Sequence, residues 1–572
     1  MEMTGAQIVI ECLLEHGVDT VFGYPGGAIL NIYDELYKNS GKIRHILTAH
    51  EQGASHAADG YARVTGKVGV CMATSGPGAT NLVTGIATAY LDSVPLVAIT
   101  CNVGTGLLGK DSFQEIDITG VTMPITKHNF IVMKVDELAE TIREAFLIAR
   151  SGRPGPVLID IPKDVTAAVT EFVPADGNPA VSAQAAGAMN LRRVLNVAVP
   201  SDDEIKNISE IINSSERPFI YAGGGVIISE ASAELALLAE KSDIPVGVSL
   251  MGKTAFPSRH RLCTGMIGMH GTKASNMAAN SCDLMIAVGA RFSDRVISDA
   301  SKFAANTKVI QIDIDPAEIG KNIPVSASLV GDIKAVLARL IPLVDERKLS
   351  GWNSRVAEWK KEVPSSYSSG EPLPPNGIFA YIHEKLGDDT VITTEVGQHQ
   401  MWAAQFYPFS KPRTFLTSGG LGTMGYGTGA AIGAQTAFPD RRVVHIAGDG
   451  SFRMNCNELA TIGHYGLPVI IIIMDNGTLG MVRQWQTLFY DRHYSSTTLD
   501  FGPDFVKLAD AYGIQGWHVS DMDGFRAAFD SAVASGKPAV IDAHIQLDEM
   551  VLPMVPAGKP IDELMLDIDI KS

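Results

Sequence analysis

Two apolar runs, each ending in glycine and polar residues, decide the fold class: Arg442-Val-Val-His-Ile-Ala-Gly-Asp-Gly-Ser451 and Pro468-Val-Ile-Ile-Ile-Ile-Met-Asp-Asn-Gly-Thr478. Short β-branched runs bounded by turn residues are typical of buried strands. We therefore predict strands over 442–446 and 468–474, with a turn over 448–451 and a helix over 454–464 between them. Strands that alternate with helices in this way indicate a parallel α/β architecture.

The same unit occurs near the start of the chain and predicts more than one such domain. A strand is expected over 68–74, a turn leading into a helix over 75–81, and the next strand over 95–100. A chain of 572 residues is too long for one hydrophobic core. Two stretches with little periodicity, 167–200 and 350–376, are expected to be linkers. We predict three doubly wound parallel-sheet α/β domains at 1–166, 190–345 and 375–550, followed by a tail at 551–572.

Composition narrows the classes of partner. The chain carries 46 basic and 63 acidic residues, for a net charge of −17. That balance argues against nucleic acid or an anionic membrane as a main partner, because both favour a basic surface. Phosphate ligands are not excluded, since backbone N–H groups and a metal can hold them.

Several features predict a soluble, cytoplasmic protein. The six cysteines are scattered without a CxxC pair, as expected for reduced core thiols. The N-terminal sequence MEMTGAQIVIECLLEHG lacks the basic stretch and long apolar run of a secretion signal. No run of apolar residues approaches the length of a membrane span.

The ends of the two opening strands offer oxygen ligands for a cation. Asp449 lies between two glycines, where the backbone can approach a phosphate closely, and Asn476 follows the next strand. Carboxylate and amide oxygens suit Mg²⁺ shared with a diphosphate. Ordinary βα turns are the alternative, because Gly, Asp and Asn are common turn residues.

This spacing resembles the signature of thiamine-diphosphate enzymes. The resemblance implies that Asp449, the Asn476 side chain and the Thr478 carbonyl hold Mg²⁺ against the cofactor diphosphate. The family usually has two consecutive asparagines, and the first is Asp475 here. His50-Glu-Gln52 resembles the family's activating motif, so Glu51 would hydrogen-bond the pyrimidine ring and promote removal of the thiazolium proton. Glyoxylate carboligases lack this acid.

Further motifs, in order along the chain, look like the acetohydroxyacid (acetolactate) synthase branch of the family: Phe22-Gly-Tyr-Pro-Gly-Gly-Ala28, Thr74-Ser-Gly-Pro-Gly-Ala-Thr-Asn81, Ser112-Phe-Gln114, Ser151-Gly-Arg-Pro-Gly-Pro156, Pro162-Lys-Asp164, Met269-His-Gly271, Arg291-Phe-Ser-Asp-Arg295 and Gly480-Met-Val-Arg-Gln-Trp485. The resemblance implies three groups of site residues besides the metal ligands. Residues at the reacting carbon and the substrates would be Glu51, Gly27, Ala28, Gln114, Lys163, Arg295 and Trp485. Residues at thiamine diphosphate would be Val396, Gly397, Gln398, His399, Met424, Gly450, Ser451 and Met454. Residues at a non-redox FAD would be Arg153, Gly223, Gly224, Leu250, Met269, His270, Gly289, Arg291, Asp313 and Asp332.

For two of these residues, the resemblance implies contact with the second substrate. Arg295 would pair with the carboxylate of the acceptor keto acid, a task that suits a planar bidentate donor. Trp485 would favour 2-ketobutyrate over pyruvate by packing on its extra methyl group, which is worth about 1 kcal/mol. A surface charge and a core tryptophan are the alternatives from the residues alone. For Met424 and Met454, the alternative is that they fill a hydrophobic core.

Two departures from the family pattern accompany this resemblance. Ser293 replaces an aspartate in the sequence motif that is associated with FAD binding. Catabolic acetolactate synthases lack this motif. Gly427-Thr-Gly429 stands where the family usually has Gly-Leu-Pro, and loss of that proline relaxes the start of a helix.

The resemblance implies an enzyme that decarboxylates pyruvate and transfers the hydroxyethyl unit to a second pyruvate or to 2-ketobutyrate, in branched-chain amino-acid biosynthesis. It also implies a homodimer or dimer of dimers, and a regulatory small subunit is common in the family. The alternatives are an FAD-using redox enzyme such as pyruvate oxidase, and a relative that has lost turnover. The GMVRQW and SDR segments argue against the first, and the intact Glu51, Asp449 and Asn476 argue against the second.

Overall fold

The structure, a computed structural model, describes residues 1–175, 198–368 and 370–568. The first part of the chain forms a six-stranded sheet in the order β3-β2-β4-β5-β7-β6, in which all neighbours are parallel. Its strands are β2 (Thr20–Tyr24), β3 (Arg44–Leu47), β4 (Gly69–Ala73), β5 (Leu96–Asn102), β6 (His128–Ile131) and β7 (Pro156–Pro162). A separate antiparallel pair, β1 (Glu2–Thr4) and β8 (Val169–Glu171), joins the two ends of this region.

Helices cover both faces of this first sheet. They are α1 (Gly5–Glu15), α2 (Leu30–Lys38), α3 (Glu51–Thr65), α4 (Pro77–Asn81), α5 (Val83–Asp92), α6 (Ile118–Thr122), α7 (Leu138–Arg150) and α8 (Lys163–Ala167). Two buried clusters result, one on each face of the sheet. The strands are buried on both faces, as parallel strands covered by helices are.

A second parallel sheet, in the order β11-β10-β9-β12-β13-β14, occupies the middle of the chain. Its strands are β9 (Pro218–Ala222), β10 (Val246–Val248), β11 (Cys263–Met266), β12 (Leu284–Val288), β13 (Lys308–Asp313) and β14 (Ala327–Val330). Its helices are α9 (Asp202–Ser214), α10 (Gly224–Ile228), α11 (Ser232–Ser242), α12 (Lys273–Ser281), α13 (Asp294–Ile297), α14 (Ile333–Leu340) and α15 (Ser350–Lys360).

The third parallel sheet has the order β16-β15-β17-β18-β20-β19. Its strands are β15 (Val391–Thr394), β16 (Phe415–Leu416), β17 (Val443–Gly448), β18 (Ile470–Asp475), β19 (Gln515–Val519) and β20 (Ala539–His544). Its helices are α16 (Pro375–Leu386), α17 (Gln398–Phe406), α18 (Gly427–Ala437), α19 (Asp449–Phe452), α20 (Leu459–Tyr465), α21 (Gly480–Phe489), α22 (Phe505–Ala511) and α23 (Met522–Ser535).

Each sheet has a central point at which its strand order reverses, and this positions the sites. The reversals fall between β2 and β4, between β9 and β12, and between β15 and β17. In open parallel sheets the loops after two such strands diverge and leave a crevice at the carboxyl edge, where ligands bind. The predicted class of three doubly wound parallel-sheet α/β domains is confirmed.

The predicted strands are present, each with ends within two residues of the prediction. The predicted turn at 448–451 is wrong, because α19 begins at Asp449 directly after β17. The predicted helix at 454–464 is also wrong in its first part. A 3₁₀ turn over Cys456–Glu458 precedes α20, since the backbone of Asn455 is not helical (φ −141°, ψ 24°).

The expected linkers and tail contain more structure than their composition indicates. The first half of 350–376 forms α15, whose Trp352, Val356 and Trp359 are buried in the core of the middle sheet. The tail is not peripheral either, because Val551 and Ile561 are buried in two different cores. Most of the linker at 167–200, including the proposed domain start at 190, falls on 176–197, outside the described residues, as do 569–572.

All six cysteines are free thiols, and five are buried. Within the described ranges, no helix has the length and apolar character that crossing a membrane requires.

Helices α3 and α18 pack backbone to backbone and join the first and third sheets. A Cβ atom added at Gly433 would lie 1.9 Å from the Ala57 carbonyl oxygen, and one added at Gly60 would lie 2.3 Å from the Ala430 carbonyl oxygen. Only glycine allows this approach, which places the two helices in one shared core.

A substitution that adds one methyl group tests this contact. Gly433→Ala should lower the free energy of unfolding by about 1–3 kcal/mol, because the new Cβ overlaps the backbone of α3. Helix propensity alone predicts the opposite sign, a gain of about 1 kcal/mol. Denaturant unfolding measures the change. Gly351→Ala, in α15 with open space at its Cβ, is the matched control and should be neutral or slightly stabilising. A stabilised Gly433→Ala variant would contradict the close packing.

Candidate active site

The carboxyl edge of the third sheet gathers the residues expected at a diphosphate. Val396 and Gly397 follow β15, and Gly397 precedes α17. Asp449 follows β17, the strand on the other side of the sheet's reversal. The expected diphosphate residues at this edge are Val396, Gly397, Gln398, His399, Gly450 and Ser451. The backbone presses against the His399 ring, since a Cβ at Gly448 would lie 2.8 Å from its Nδ1 atom.

The expected cation ligands lie at the same edge. Asp449 is 3% exposed, and its Oδ2 atom has no hydrogen-bond partner in the described part of the chain. Burial and the neighbouring Asp475 carboxylate raise the pKa of Asp449 well above its usual range. The Asn476 amide donates to Gln398 Oε1 at 3.2 Å, which leaves the Asn476 oxygen available as a ligand. Thr478 is buried, and its hydroxyl donates to the Thr497 carbonyl at 2.7 Å.

The oxygen atoms offered by Asp449 and Asn476 are suitable ligands for Mg²⁺. Asp449 and Asn476 offer hard oxygen ligands, and an unpaired buried carboxylate oxygen is stabilised by a cation. The nearby His399 is fully buried, and burial lowers its pKa to about 3, so its imidazole is neutral. A neutral ring does not compete with the cation for the carboxylate.

A buried glutamate that the sequence did not single out contacts the Gly427-Thr-Gly429 segment. The Glu395 carboxylate accepts hydrogen bonds from Gly425 N at 2.5 Å, Gly427 N at 3.1 Å and Thr428 N at 3.2 Å. It therefore satisfies the free N–H groups at the start of α18. Gly429 faces α3, where an added Cβ would lie 2.7 Å from the His56 Cβ atom. A short residue is required at 429, and the Thr428 hydroxyl also bonds Glu395 at 3.3 Å.

The two methionines expected at the cofactor flank this start of α18. Met424 is half-buried, directly before Gly425. Met454 is 56% exposed, and a Cβ at Gly425 would lie 3.2 Å from its own Cβ. Neither methionine fills a core.

The carboxyl edge of the first sheet holds Glu51, the first residue of α3. Its carboxylate accepts a hydrogen bond from Asn81 Nδ2 at 3.0 Å, and it is buried. Asn81 ends α4 and is the last residue of the motif at 74–81. Sequence spacing did not reveal the contact, because 30 residues and a strand separate the two.

The other residues expected at the reacting carbon follow other strands of this edge. Ala28 N donates to Thr74 Oγ1 at 3.3 Å, and Gly27 beside it is exposed. Gln114 has a left-handed backbone (φ 60°) and lies against Gly76. Lys163 is exposed at the start of α8, after β7.

A cavity of about 1010 Å³ opens at the reversal of the middle sheet, between the ends of β9 and β12. All ten residues expected at FAD line it: Arg153, Gly223, Gly224, Leu250, Met269, His270, Gly289, Arg291, Asp313 and Asp332. Burial raises the pKa of Asp313 to about 6. Asp332 accepts a hydrogen bond from the Ser229 hydroxyl at 2.7 Å. Ser293 also lines the cavity, directly before α13.

The same cavity reaches the third sheet and the expected acceptor residues. Arg295, Trp485, Val396 and Gly397 all line it. The Arg295 guanidinium lies over the Trp485 ring at 5.6 Å, and Trp485 Nε1 has no hydrogen-bond partner among the described residues. Arg295 is 62% exposed, and the exposed Asp294 carboxylate lies 3.7 Å from its Nε atom, so an anion in the cavity can still reach the guanidinium.

Sequence reasoning missed part of this cavity. Gly419 and Gly420 line it, and a Cβ at Gly419 would lie 2.3 Å from Met251 Sδ. The adjacent Gly-Gly pair was the available signal. The tail supports the wall, because Val555 N donates to the Met269 carbonyl at 2.8 Å and Pro553 O lies 3.3 Å from His270 Nδ1. Nothing in the tail's composition indicated that contact.

Three family models match this chain. All three describe domains of thiamine pyrophosphate (TPP) enzymes. The N-terminal TPP binding domain matches residues 3–121, the central domain matches 205–340, and the C-terminal TPP binding domain matches 395–543. Three α/β domains that match in this order define a thiamine pyrophosphate enzyme.

Curated relatives narrow the class. A probable acetolactate synthase large subunit of Methanocaldococcus jannaschii is 49% identical, covering 100% of this chain and 96% of the relative. The acetolactate synthase large subunits of Parasynechococcus marenigrum and Corynebacterium glutamicum are each 46% identical, covering 97% and 100% of this chain and 90% and 91% of those proteins. The chain belongs to the acetolactate synthase large-subunit family of thiamine pyrophosphate enzymes, which confirms the resemblance seen in its motifs.

The Asn81–Glu51 contact generates a prediction about turnover. Asn81→Leu removes a hydrogen bond to a carboxylate and should lower kcat about tenfold, while cofactor affinity stays within about threefold. Glu51→Gln removes the acid itself and should cost at least about a hundredfold. Steady-state kinetics with cofactor titration measures both. Asn39→Leu, whose amide bonds the Glu35 carbonyl at the end of α2, is the control and should match the unsubstituted enzyme. Unchanged kcat in Asn81→Leu would contradict an orienting role.

Proposed function

We propose that this chain is the catalytic subunit of an acetolactate synthase that decarboxylates pyruvate and transfers the hydroxyethyl unit to a second pyruvate or to 2-ketobutyrate, in branched-chain amino-acid biosynthesis. One observation carries the proposal. A single cavity holds the arginine–tryptophan pair of Arg295 and Trp485 beside Val396 and Gly397 of the diphosphate edge. An acceptor anion held by Arg295 would therefore lie next to the cofactor region.

Different residues of the chain would bind the cofactor, exchange its proton and hold the cation. Thiamine diphosphate, when bound, supplies a nucleophilic carbon and an electron sink for decarboxylation. Glu51 would exchange a proton with the pyrimidine ring, and Asn81 orients its carboxylate. Asp449, Asn476 and the Thr478 carbonyl would hold Mg²⁺ against the diphosphate, as their oxygen chemistry supports.

We propose that the middle cavity binds FAD. Its place at a strand-order reversal, with glycines after β9 and β12, fits the pyrophosphate of a dinucleotide. Arg153 and Arg291 supply positive charge at the wall. Carboligation transfers no net electrons, so we expect the flavin to remain oxidised during turnover.

We propose that the enzyme is a homodimer or a dimer of dimers. Glu51 is not among the residues that line the cavity that holds Val396 and Trp485. Large exposed apolar side chains lie near the carboxyl edges of the first and third sheets: Leu30 and Phe113 near the first, and Leu421 and Met454 near the third. Such surfaces commonly mark interfaces. The relatives' designation as large subunits supports a regulatory small subunit as a further partner. The six free thiols support a cytoplasmic location.

The function is tested by product analysis. The purified chain is incubated with pyruvate, thiamine diphosphate, Mg²⁺ and FAD, with and without 2-ketobutyrate. We expect 2-acetolactate from pyruvate alone and 2-aceto-2-hydroxybutyrate when both keto acids are present. Acetate or acetyl phosphate with flavin bleaching would indicate an oxidase instead. Absence of any product from cofactor-loaded enzyme would contradict catalysis.

Asp449→Ala tests the cation site. The variant should lose Mg²⁺-dependent retention of thiamine diphosphate, because the diphosphate loses its bridging ion. Dialysis followed by cofactor quantitation measures this. Asp440→Ala, an exposed aspartate of the same domain, is the control. Full retention in Asp449→Ala would show that this carboxylate is not the anchor.

Competition between acceptors tests the cavity. Trp485→Leu should lower the preference for 2-ketobutyrate about tenfold, because the flat indole packs on the extra methyl group more fully than leucine does. Total turnover will also fall somewhat, since Arg295 loses the ring beneath it. Arg295→Ala should weaken both acceptors together, because it removes the shared carboxylate partner. The product ratio at equal acceptor concentrations is the measurement. An unchanged ratio in Trp485→Leu would make Trp485 a packing residue.

A further inference from the structure

A cluster of two histidines and an aspartate lies at the carboxyl edge of β19 and β20, beside the strand that directly precedes the proposed cation ligand Asn476: His544 is in register with Asp475 of β18. His518 on β19 pairs in register with Asp542 on the parallel neighbour β20. His544 is two residues beyond Asp542, and side chains two apart on a strand share a face. The backbone therefore brings the three side chains together.

The distances between the polar atoms match those of ligands around a small cation. His518 Nδ1 lies 3.0 Å from Asp542 Oδ2, and His544 Nε2 lies 3.4 Å from the same oxygen. One ligand atom from each residue falls within 4.8 Å of the others. Ligands bonded to Zn²⁺ at about 2.0–2.2 Å lie roughly 2.9–3.4 Å from one another. Small side-chain adjustments would bring all three onto one ion.

Asp542 carries a second, independent indication of a ligand. Its side chain is 2% exposed, and its Oδ1 atom has no hydrogen-bond partner in the part of the chain that the structure describes. A buried carboxylate oxygen without a donor is costly. Because Oδ2 of the same carboxylate faces both histidines, a cation bound by both oxygens would compensate that cost. The two imidazoles are half exposed, 47% and 50%, so an ion and its waters can reach the cluster from solvent.

A fourth residue orients one histidine from behind. Asp504 Oδ1 lies 3.2 Å from His518 Nε2, the ring nitrogen that does not face Asp542. Asp504 is fixed at the start of α22, where it accepts hydrogen bonds from Val506 N and Lys507 N. A metal-binding histidine typically donates its other N–H to a carboxylate, which turns the remaining lone pair toward the metal. Asp504 supplies this partner.

We propose that His518, Asp542 and His544 bind a divalent transition-metal cation of the Zn²⁺ class, with water in the remaining coordination positions. Imidazole nitrogen favours Zn²⁺, Co²⁺ or Ni²⁺ over Mg²⁺. The oxygen-only ligands proposed at Asp449 and Asn476 have the opposite preference. The two sets of ligands therefore differ in chemistry, although Asp475 neighbours both Asp449 and Asp542. The proposal does not depend on the proposed catalytic function.

Zinc binding to the whole chain tests the proposal. Tag-free protein, stripped with a chelator, is dialysed against Zn²⁺ in the presence of saturating Mg²⁺ and thiamine diphosphate, and bound zinc is measured by atomic emission. We expect one Zn²⁺ per chain, lost in His544→Ala and in His518→Ala. Asp504→Asn should weaken zinc binding about 10–100-fold while keeping its stoichiometry. His464→Ala, an exposed histidine of the same domain, should bind zinc normally.

Cobalt separates this site from the oxygen site. Co²⁺ bound with imidazole nitrogen should give visible absorption that disappears in His544→Ala and persists in Asp449→Ala. Thermal unfolding of each variant checks that it is folded, and Asp504→Asn is the test if a histidine variant is not. Zinc that stays at the same level in all cluster variants, or no zinc in the unsubstituted chain, would overturn the proposal. The cluster would then be a hydrogen-bonded network only.

Discussion

The structure depends on the close contact between α3 and α18. At Gly60 of α3 and Gly433 of α18, a backbone carbonyl of the other helix occupies the position that a Cβ atom would need. Beside this contact Arg63 is paired with the buried Asp59 at 2.6 Å and the buried Asp92 at 2.9 Å, and its own side chain is 10% exposed. Two hydrogen bonds tie this network to the third domain: Tyr426, directly before α18, donates its hydroxyl to Asp59 at 2.7 Å, and Arg63 Nη1 donates to the Thr417 carbonyl at 3.0 Å. The first and third sheets therefore share a core.

That placement determines where chemistry can occur. Glu51 begins α3, and the start of α18 is held by Glu395, so the same helix pair positions both sheet edges. Glu51 is not among the residues that line the cavity that holds Trp485. In the proposed dimer, the first sheet of one copy would meet the third sheet of another. The middle sheet contributes the wall that carries Arg295.

The sequence predicted the features that depend on a short, continuous stretch of residues. Strands that end in Gly-Asp or Asp-Asn marked the cation edge, and family motifs marked the ten residues that line the middle cavity. Features that depend on distant burial were missed. Helix α15 looked like a linker because its apolar residues are few, yet Trp352 and Trp359 are buried against another helix. The cluster of His518 and Asp542 exists only through strand register, which no local pattern indicates.

Hybrid complementation tests the central claim, that each active site combines Glu51 of one copy with Asp449 of another. Glu51→Gln and Asp449→Ala chains are prepared separately and then mixed under conditions that allow subunit exchange, and acetolactate formation is measured. In a hybrid dimer one site carries both substitutions and the other carries neither. Random exchange should therefore restore about one quarter of the activity of the unsubstituted enzyme. A mixture that remains as inactive as its parents, although hybrids form, would show that each chain builds its site alone.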